Sequence, residues 1–187
     1  MSIPVPTNPR MIDLVLSELQ AKIKAGLTWL DYSCGKVVEI KHGGKSIPAI
    51  YIGSEYKYVM PDDTLGNYCF FDIAPKYTFA KWSKGSHALI RARYGLVFWF
   101  NIAKIYPDSA AVETEAIKEE ILTLLTEKIS IVNGSYTIEG ISEGARDVFA
   151  QYMQEGYQEK YLLYPYGAVR FEGQLTFTSR IKNIPAV

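Results

Sequence analysis

One segment, residues 87–106, limits the possible folds more than any other part of the sequence. Leu96 and Phe98 alternate there with Val97 and Trp99, so both faces of an extended chain are apolar in its middle. A strand with two apolar faces is buried on both sides. We therefore predict that this segment is a central β-strand, or that one of its faces meets another subunit.

Apolar periodicity and turn residues predict the elements around this strand. Asn8 and Pro9 suit the start of a first helix, and Gly-Gly and Asn-Gly pairs suit hairpin turns. The predicted elements are a helix over 9–25, a hairpin of 36–40 and 47–52, a helix over 109–128, a hairpin of 129–132 and 136–141, a helix over 143–154, and a strand over 169–178. An alternative extends the second helix to about residue 131.

Hairpin-linked strands with helices between them are typical of the α+β class. We predict a single α+β domain over 1–187, with one antiparallel or mixed β-sheet flanked by two to three helices. Residues 1–8 are rich in proline and are expected to form an extended N-terminal arm.

Residues 53–85 do not fit this regular pattern. Aromatic residues are frequent in the segment, but Pro61, Gly66 and Pro75 interrupt it and argue against one regular element. Its aromatic content argues against plain disorder. We therefore predict a long aromatic-rich β or loop insertion over 53–85, of the kind that usually carries function.

Charge is balanced, with 20 basic and 20 acidic residues and a net charge of zero. Proteins that hold the nucleic-acid backbone usually carry a basic excess, so we expect no direct sequence-specific nucleic-acid binding. Hydrophobic residues make up 48% of the chain, enough for a sizeable core, and aromatic residues make up 13%. Aromatic side chains favour interfaces as well as strands. No apolar stretch has the length of a membrane span, and we expect no membrane partner.

Residue types that carry chemistry are few. His42 and His87 belong to no Ser-His or Cys-His pattern, and exposed loop positions are expected for both. Cys34 and Cys69 are too few for a disulfide framework or a metal cluster, so we predict two buried free thiols. Residues 43–46 (Gly-Gly-Lys-Ser) imitate the end of a phosphate-binding loop, but the first glycine of that motif is missing and a strand follows.

The acidic residues offer only a weak metal-binding pattern. Asp62 and Asp63 could bind a cation with help from Asp72, but a solvated turn after Pro61 is the better interpretation. We therefore predict no catalytic residues, no metal and no cofactor, and a binding or structural role rather than an enzyme.

The order of the predicted elements resembles that of tail-terminator, tail-completion and head-tail connector (neck ring) proteins of tailed bacteriophages. Those proteins open with an amphipathic helix similar to 11–25 and continue with a hairpin, a strand, a helix similar to 111–128, and final strands. The phrase Tyr-Pro-Tyr-Gly-Ala-Val-Arg-Phe at 164–171 also looks like phage virion proteins. The insertion over 53–85 and the helix over 143–154 depart from this plan, and they leave the subfamily open.

The resemblance implies a structural virion component, made in the host cytoplasm, that forms a ring at the head-tail junction or in the tail. Its implied partners are copies of itself and neighbouring virion proteins, namely the portal, a connector or the tail tube. Buried aromatic residues usually dominate interface energies. The predicted contact residues are Tyr56, Tyr58, Phe70, Phe71, Tyr77, Phe79, Trp82 and Trp99.

Other functions stay open at this level. The aromatic segment could stack sugars or bases in a non-catalytic small-ligand or carbohydrate-binding module. An unrecognised enzyme is a further alternative, because catalytic residues can be scattered along a chain. A host-side adaptor or immunity protein would have the same sequence features.

Overall fold

The computed structural model of the chain describes residues 4–5, 9–61, 63–82, 87–108, 114–153 and 158–180. Its strands are β1 (Tyr32–Lys36), β2 (Val38–His42), β3 (Lys45–Tyr51), β4 (Tyr56–Tyr58), β5 (Tyr68–Trp82), β6 (His87–Asn101), β7 (Gly134–Glu143) and β8 (Tyr166–Arg180). Its helices are α1 (Ile12–Gly26), α2 (Ile102–Ile105), α3 (Thr114–Thr123), which a π-helical turn at Leu124–Lys128 continues, and α4 (Ala145–Phe149). Short 3-10 turns lie at Ala150–Tyr152 and Glu159–Leu162. The α+β class is confirmed.

Five strands form the main sheet, in the order β1-β5-β6-β8-β7. β1 pairs with β5 in parallel, and the other neighbours pair antiparallel, so the sheet is mixed. β6 lies in the middle of this order, with Leu96 and Phe98 in one core and Val97 and Trp99 in the other. This position explains the two apolar faces, and the predicted central strand is confirmed.

The first face of the main sheet is covered by α1 and by α3 with its π-helical turn. α1 ends at Gly26, where the helix passes close to the π-helical turn. A Cβ atom at Gly26 would collide with the Leu124 side chain, so glycine allows this close approach. The helices bury Val15, Leu16, Leu19, Ile23, Ile117, Ile121 and Leu124 against the sheet.

The second face is covered by a smaller antiparallel sheet, in the order β2-β3-β4, together with α4 and the 3-10 turns. Gly43 and Gly44 have φ values of 55° and 80°, which a two-residue hairpin turn between β2 and β3 requires. The first predicted hairpin is therefore confirmed. Ile50, Val59 and Phe149 are fully buried in this second core.

The predicted insertion over 53–85 is corrected by the structure. Most of the second half of this segment is β5, which lies inside the main sheet between β1 and β6. The interrupting residues mislead because Pro61 and Gly66 precede the strand, while Pro75 lies at a register shift between Ile73 and Tyr77. The aromatic residues of β5 therefore belong to a strand and not to an excursion from the fold.

The second predicted hairpin is also wrong. Only its second half is a strand, β7, and β7 pairs with the distant β8. Residues 129–132 connect the helix to β7, and the side chain of Glu18 accepts hydrogen bonds from the backbone amides of Val132 and Asn133. The sequence shows the strand but not its partner, because the pairing is non-local.

The remaining boundaries differ from the predictions by a few residues. The first helix begins at Ile12 and not at residue 9, and Asn8 lies outside the described residues. The central strand ends at Asn101, whose side-chain oxygen accepts a hydrogen bond from the Ala103 amide (3.1 Å) and caps α2. The third helix is shorter than 143–154, and the last strand, β8, is longer than 169–178.

Candidate protein–protein interface

Several of the predicted contact residues lie in the core of the subunit. Phe70, Phe71 and Trp99 are fully buried, so they have no surface with which to meet a partner. The Trp99 indole donates a hydrogen bond to the Tyr161 carbonyl (3.0 Å) and stacks on the Tyr166 ring with centroids 4.9 Å apart. These contacts show that the buried aromatic residues stabilise the fold of the chain.

Two further predicted residues are half-buried and held in place by contacts inside the subunit. The Tyr58 hydroxyl donates to the Tyr152 carbonyl (2.6 Å), which ties β4 to the turn after α4. The Tyr77 ring lies edge-on to Phe177, with centroids 6.0 Å apart. Tyr58 and Tyr77 therefore contribute little exposed area.

Tyr56 and Phe79 are the predicted contact residues with a large exposed surface. Tyr56 is 45% exposed and lies beside Tyr51 in the small sheet, whereas Phe79 is 67% exposed near the far end of β5. Trp82 is the last residue of β5, and its side chain lies outside the described residues. The structure thus places the exposed members of the predicted set on two separate surfaces.

Phe79 belongs to a feature that we call the β5–β6 arm, residues 75–82 and 87–93. From 75 to 81 every side chain is exposed except Tyr77. Thr78 and Phe79 pair with Arg91 and Ile90 of β6, so the exposed chain is held in a regular ladder. Aromatic side chains carry much of the energy of protein interfaces, so this strand is a candidate contact surface.

A second surface is the α3–β7 groove, which the sequence did not indicate. Exposed Leu122 and Ile141 form an apolar floor in a cavity of about 440 Å³. Its other lining residues are Glu115, Lys118, Glu119, Ser142 and Glu143. Leu122 lies off the apolar stripe of α3, and that position is the one signal that could have pointed to the groove.

The charges of this groove are partly paired. Lys118 Nζ lies 2.6 Å from Glu115 and 2.9 Å from Glu143, and these hydrogen bonds raise the pKa of Lys118. The Thr114 hydroxyl also donates to Glu143 (2.7 Å), and with Lys118 it lowers the pKa of that carboxyl. Lys118 thus forms ion pairs with two carboxylates, and the net charge of the side chains that line the groove is negative.

A polar cavity of about 450 Å³ lies on the second face of the main sheet, beside Arg170. Arg170 pairs with Asp72 (2.9 Å) and Glu172 (2.9 Å), and Gln151 donates to Asp72 (2.7 Å). A Cβ atom on Gly95 would collide with the guanidinium, so this glycine leaves room for it. The charged groups of this cavity largely neutralise one another.

The weak metal pattern is not assembled in the part that the structure describes. Asp62 lies outside that part, Asp63 pairs with Lys104 (3.8 Å), and Asp72 pairs with Arg170. Among the described residues, no three metal-ligating side chains come together. Asp63 also accepts a hydrogen bond from the Tyr166 hydroxyl, which fixes this turn against β8.

The other chemically reactive residues are not arranged as a site. Cys34 and Cys69 are buried free thiols, as predicted, and burial raises the pKa of Cys69 to about 12. His42 is exposed at the end of β2, and the side chain of His87 lies outside the described residues. Residues 43–46 form the hairpin turn and the start of β3, not a phosphate-binding loop.

Comparisons with known proteins add no relative. No protein-family model matches the chain, and no curated protein sequence matches it significantly. Within the described helices, none has the length and apolar character that crossing a membrane requires.

Proposed function

We propose that the chain is a structural virion component, a ring-forming subunit at the head-tail junction or in the tail of a bacteriophage. It would act as a tail terminator or connector and would bind copies of itself and neighbouring virion proteins. The observation that carries this proposal is the β5–β6 arm, which holds Phe79 67% exposed on a regular ladder.

The distribution of surfaces also supports a ring. A closed ring of identical subunits needs two different complementary patches on each subunit. The β5–β6 arm and the α3–β7 groove are the two candidates for these patches, and they lie on different elements. The resemblance in element order to phage connector and terminator proteins points in the same direction.

The test is the assembly state of the full chain. Mass photometry and light scattering, from nanomolar to high micromolar concentration, are expected to show one oligomer of fixed subunit number. Negative-stain microscopy is expected to show rings, either of the chain alone or with a portal, connector or tail-tube protein of the same phage. A chain that stays monomeric and binds none of those proteins contradicts the proposal.

A small-ligand or carbohydrate-binding module is the second candidate, favoured by the cavity beside Arg170. A thermal-shift screen with sugars, nucleotides and metals separates the two functions. The ring proposal predicts no strong stabilisation by any of these classes. Stabilisation by one class that is lost in Arg93→Ala, a substitution in the cavity wall, would favour the ligand-binding module instead.

A further inference from the structure

The outer edge of β7 is a long strand edge without a neighbour. β7 is the last strand of the main sheet, and within the described part of the chain it pairs only with β8. The other edge strands, β1, β2 and β4, have three to five residues, whereas β7 has ten. Alternate residues of an edge strand present backbone N–H and C=O groups that no neighbour uses, so such an edge can accept a further strand.

The outer side of β5 is also unpaired beyond Phe71, where its pairing with β1 ends among the described residues. That part of β5 carries Pro75, Lys76 and Lys81 and two shifts of register. Proline, lysine and bulges are features with which natural sheets block the addition of a strand. β7 contains no proline, lysine or arginine, and its register shifts once. Of these two long edges, β7 is therefore the one that is open to a partner.

A helix runs beside the edge of β7. The Thr114 hydroxyl at the start of α3 donates to Glu143 at the end of β7 (2.7 Å). The Tyr136 hydroxyl near the start of β7 donates to the Leu125 carbonyl in the π-helical turn. The helix thus runs antiparallel to β7, and we call the space between them, which includes the α3–β7 groove, the helix–edge cleft. An exposed sheet edge binds an extended peptide by strand addition, and pockets beside the edge take alternate side chains.

The helix–edge cleft contains a second cavity besides the α3–β7 groove. This π-turn cavity, of about 440 Å³, lies between the π-helical turn and the first part of β7, including Tyr136 and Ile138. Tyr136 pairs with Leu175, and Ile141 of the groove pairs with Phe171, and both partners belong to the core of the first face. The two cavities therefore lie on one face, four residues of β8 or about 13 Å apart.

Charge is unevenly distributed along the sequence, although the net charge is zero. From Asp108 to Glu159 there are eleven acidic residues and three basic ones. The stretch between Asp72 and Asp108 has six lysine and arginine residues and no acidic one. The acidic stretch contains α3 and β7, whereas the basic stretch contains most of β5 and all of β6. The helix–edge cleft is therefore built from the acidic part of the chain.

The charge of the cleft is confined to one of its ends. Glu115, Glu119 and Glu143 line the α3–β7 groove together with Lys118, while no charged residue lines the π-turn cavity. Lys118 pairs with Glu115 and Glu143 and leaves Glu119 without a basic partner among the described residues. A segment that complements the cleft is apolar toward the π-turn cavity and basic near Glu119.

We propose that the helix–edge cleft binds an extended segment of a partner protein, which adds to β7 as a sixth strand of the main sheet. The segment has apolar side chains at alternate positions, and side chains four positions apart enter the two cavities. Antiparallel pairing is the more stable arrangement, so the basic residue that faces Glu119 is at the amino end of the segment. The inference goes beyond the proposed function, because strand addition does not require a ring.

The test uses the full-length chain and a fluorescently labelled synthetic peptide, Lys-Thr-Val-Thr-Val-Thr-Val. In the expected register, its lysine lies near Glu119 and its valines lie opposite Ile141, Ile138 and Tyr136. Fluorescence anisotropy is expected to give a micromolar dissociation constant, as small interfaces do. A peptide with glutamate in place of the lysine is expected to bind about fivefold more weakly, and Glu119→Lys is expected to remove this difference.

Two N-methylated forms of the peptide test the backbone pairing. One form carries methyl groups on the threonine amides, and the other carries them on the valine amides. In a paired strand, alternate amides face the neighbouring strand and the others face away from it. One form is therefore expected to lose affinity about tenfold or more, and the other is expected to keep it. Equal binding by both forms would show an apolar contact without strand addition, and the proposal would be wrong.

A variant of the groove floor tests the location of the peptide. Ile141→Ser removes an exposed apolar side chain without adding charge and is expected to weaken binding about tenfold. Phe79→Ser is the matched control, because Phe79 is exposed on β5 outside the cleft, and unchanged binding is expected. In the wild type, hydrogen exchange followed by NMR is expected to show that the β7 amides not paired with β8 gain protection when the peptide binds.

The outcomes separate this site from the proposed function. Peptide binding by a chain that stays monomeric supports the cleft and counts against the ring, whereas rings without peptide binding do the reverse. If the outer amides of β7 are already protected in the wild type alone, a second copy or another segment of this chain fills the cleft. In that case the proposed partner is wrong.

Discussion

Trp99 shows that the type of a residue does not reveal whether it belongs to the core or to an interface. It lies at the centre of the second core, where its ring stacks on Tyr166 and its indole nitrogen donates to the Tyr161 carbonyl. Phe79 is of the same apolar, aromatic kind but is two-thirds exposed. Aromatic side chains favour cores, strands and interfaces alike, so composition alone could not separate these two residues. Only the pairing of the strands decides which ring is covered.

The stability of the fold is expected to depend on Trp99. We expect Trp99→Ala to lower the free energy of unfolding by about 3–5 kcal/mol, because it opens a cavity in the second core. Trp99→Phe keeps most of the volume but leaves the Tyr161 carbonyl without its donor, so a smaller loss of about 1–3 kcal/mol is expected. Chemical denaturation followed by circular dichroism measures both values.

Tyr56→Ala is the control at an exposed aromatic position, and a change within about 0.5 kcal/mol is expected. If Trp99→Ala costs no more than this control, Trp99 is not a core residue, and its predicted role in an interface is favoured again.

At the scale of elements, local patterns predicted what the chain forms, and non-local pairing decided where each element lies. The first helix, the Gly-Gly hairpin and the central strand follow from periodicity and turn residues. The sequence pattern did not predict β5, because Pro61 and Gly66 before the strand and Pro75 at its register shift suggested an irregular segment. The pairing of β7 with β8, and the groove that depends on it, join residues far apart in sequence, and no local pattern encodes such contacts.

The β7–β8 pairing makes a prediction about two glycines. A Cβ atom at Gly173 would collide with the backbone carbonyl of Thr137 on β7, whereas one at Gly140 meets nothing within 4 Å. We therefore expect Gly173→Ala to lower the free energy of unfolding by about 1–3 kcal/mol, as overpacking does. Gly140→Ala is expected to change it by no more than about 0.5 kcal/mol.

Hydrogen exchange locates the damage in these variants. The amides of β7 are expected to lose protection in Gly173→Ala and to keep it in Gly140→Ala. Equal protection of β7 in the two variants would show that the strands can separate at Gly173 without cost.

At the scale of the whole molecule, the fold turns a neutral sequence into a protein with unlike surfaces. The basic stretch forms β5 and β6, and the acidic stretch forms α3 and β7 at the edge of the sheet. A neutral chain has weak long-range self-repulsion, and an uneven distribution of its charges still influences the rate at which it associates. The net charge of zero argued against nucleic-acid binding, but a net charge cannot show that basic and acidic residues lie in separate stretches.

Assembly is therefore expected to depend on salt. Raising NaCl from low to high concentration shortens the screening length from about 30 Å at 0.01 M to about 3 Å at 1 M, so the rate of association is expected to fall about tenfold or more. The dissociation rate is expected to change less, because the apolar part of an interface is not screened by salt. Stopped-flow light scattering at several salt concentrations measures the association rate.

Lys76→Gln with Lys81→Gln is the control for this effect, because it removes charge from the arm and leaves Phe79 in place. Its association rate is expected to vary less with salt than that of the wild type. A wild-type rate that is independent of salt contradicts electrostatic steering by the arm.

The tight turn between β2 and β3 has a practical consequence for imaging the protein by electron microscopy. Gly43 and Gly44 have no atoms within 4 Å of their would-be Cβ positions, and the turn belongs to neither the arm nor the groove. A short peptide tag inserted between these glycines is expected to leave both cores closed and to add density at one known point on each copy of the chain. In electron micrographs of an assembly, that point would mark the position of the small sheet in each copy.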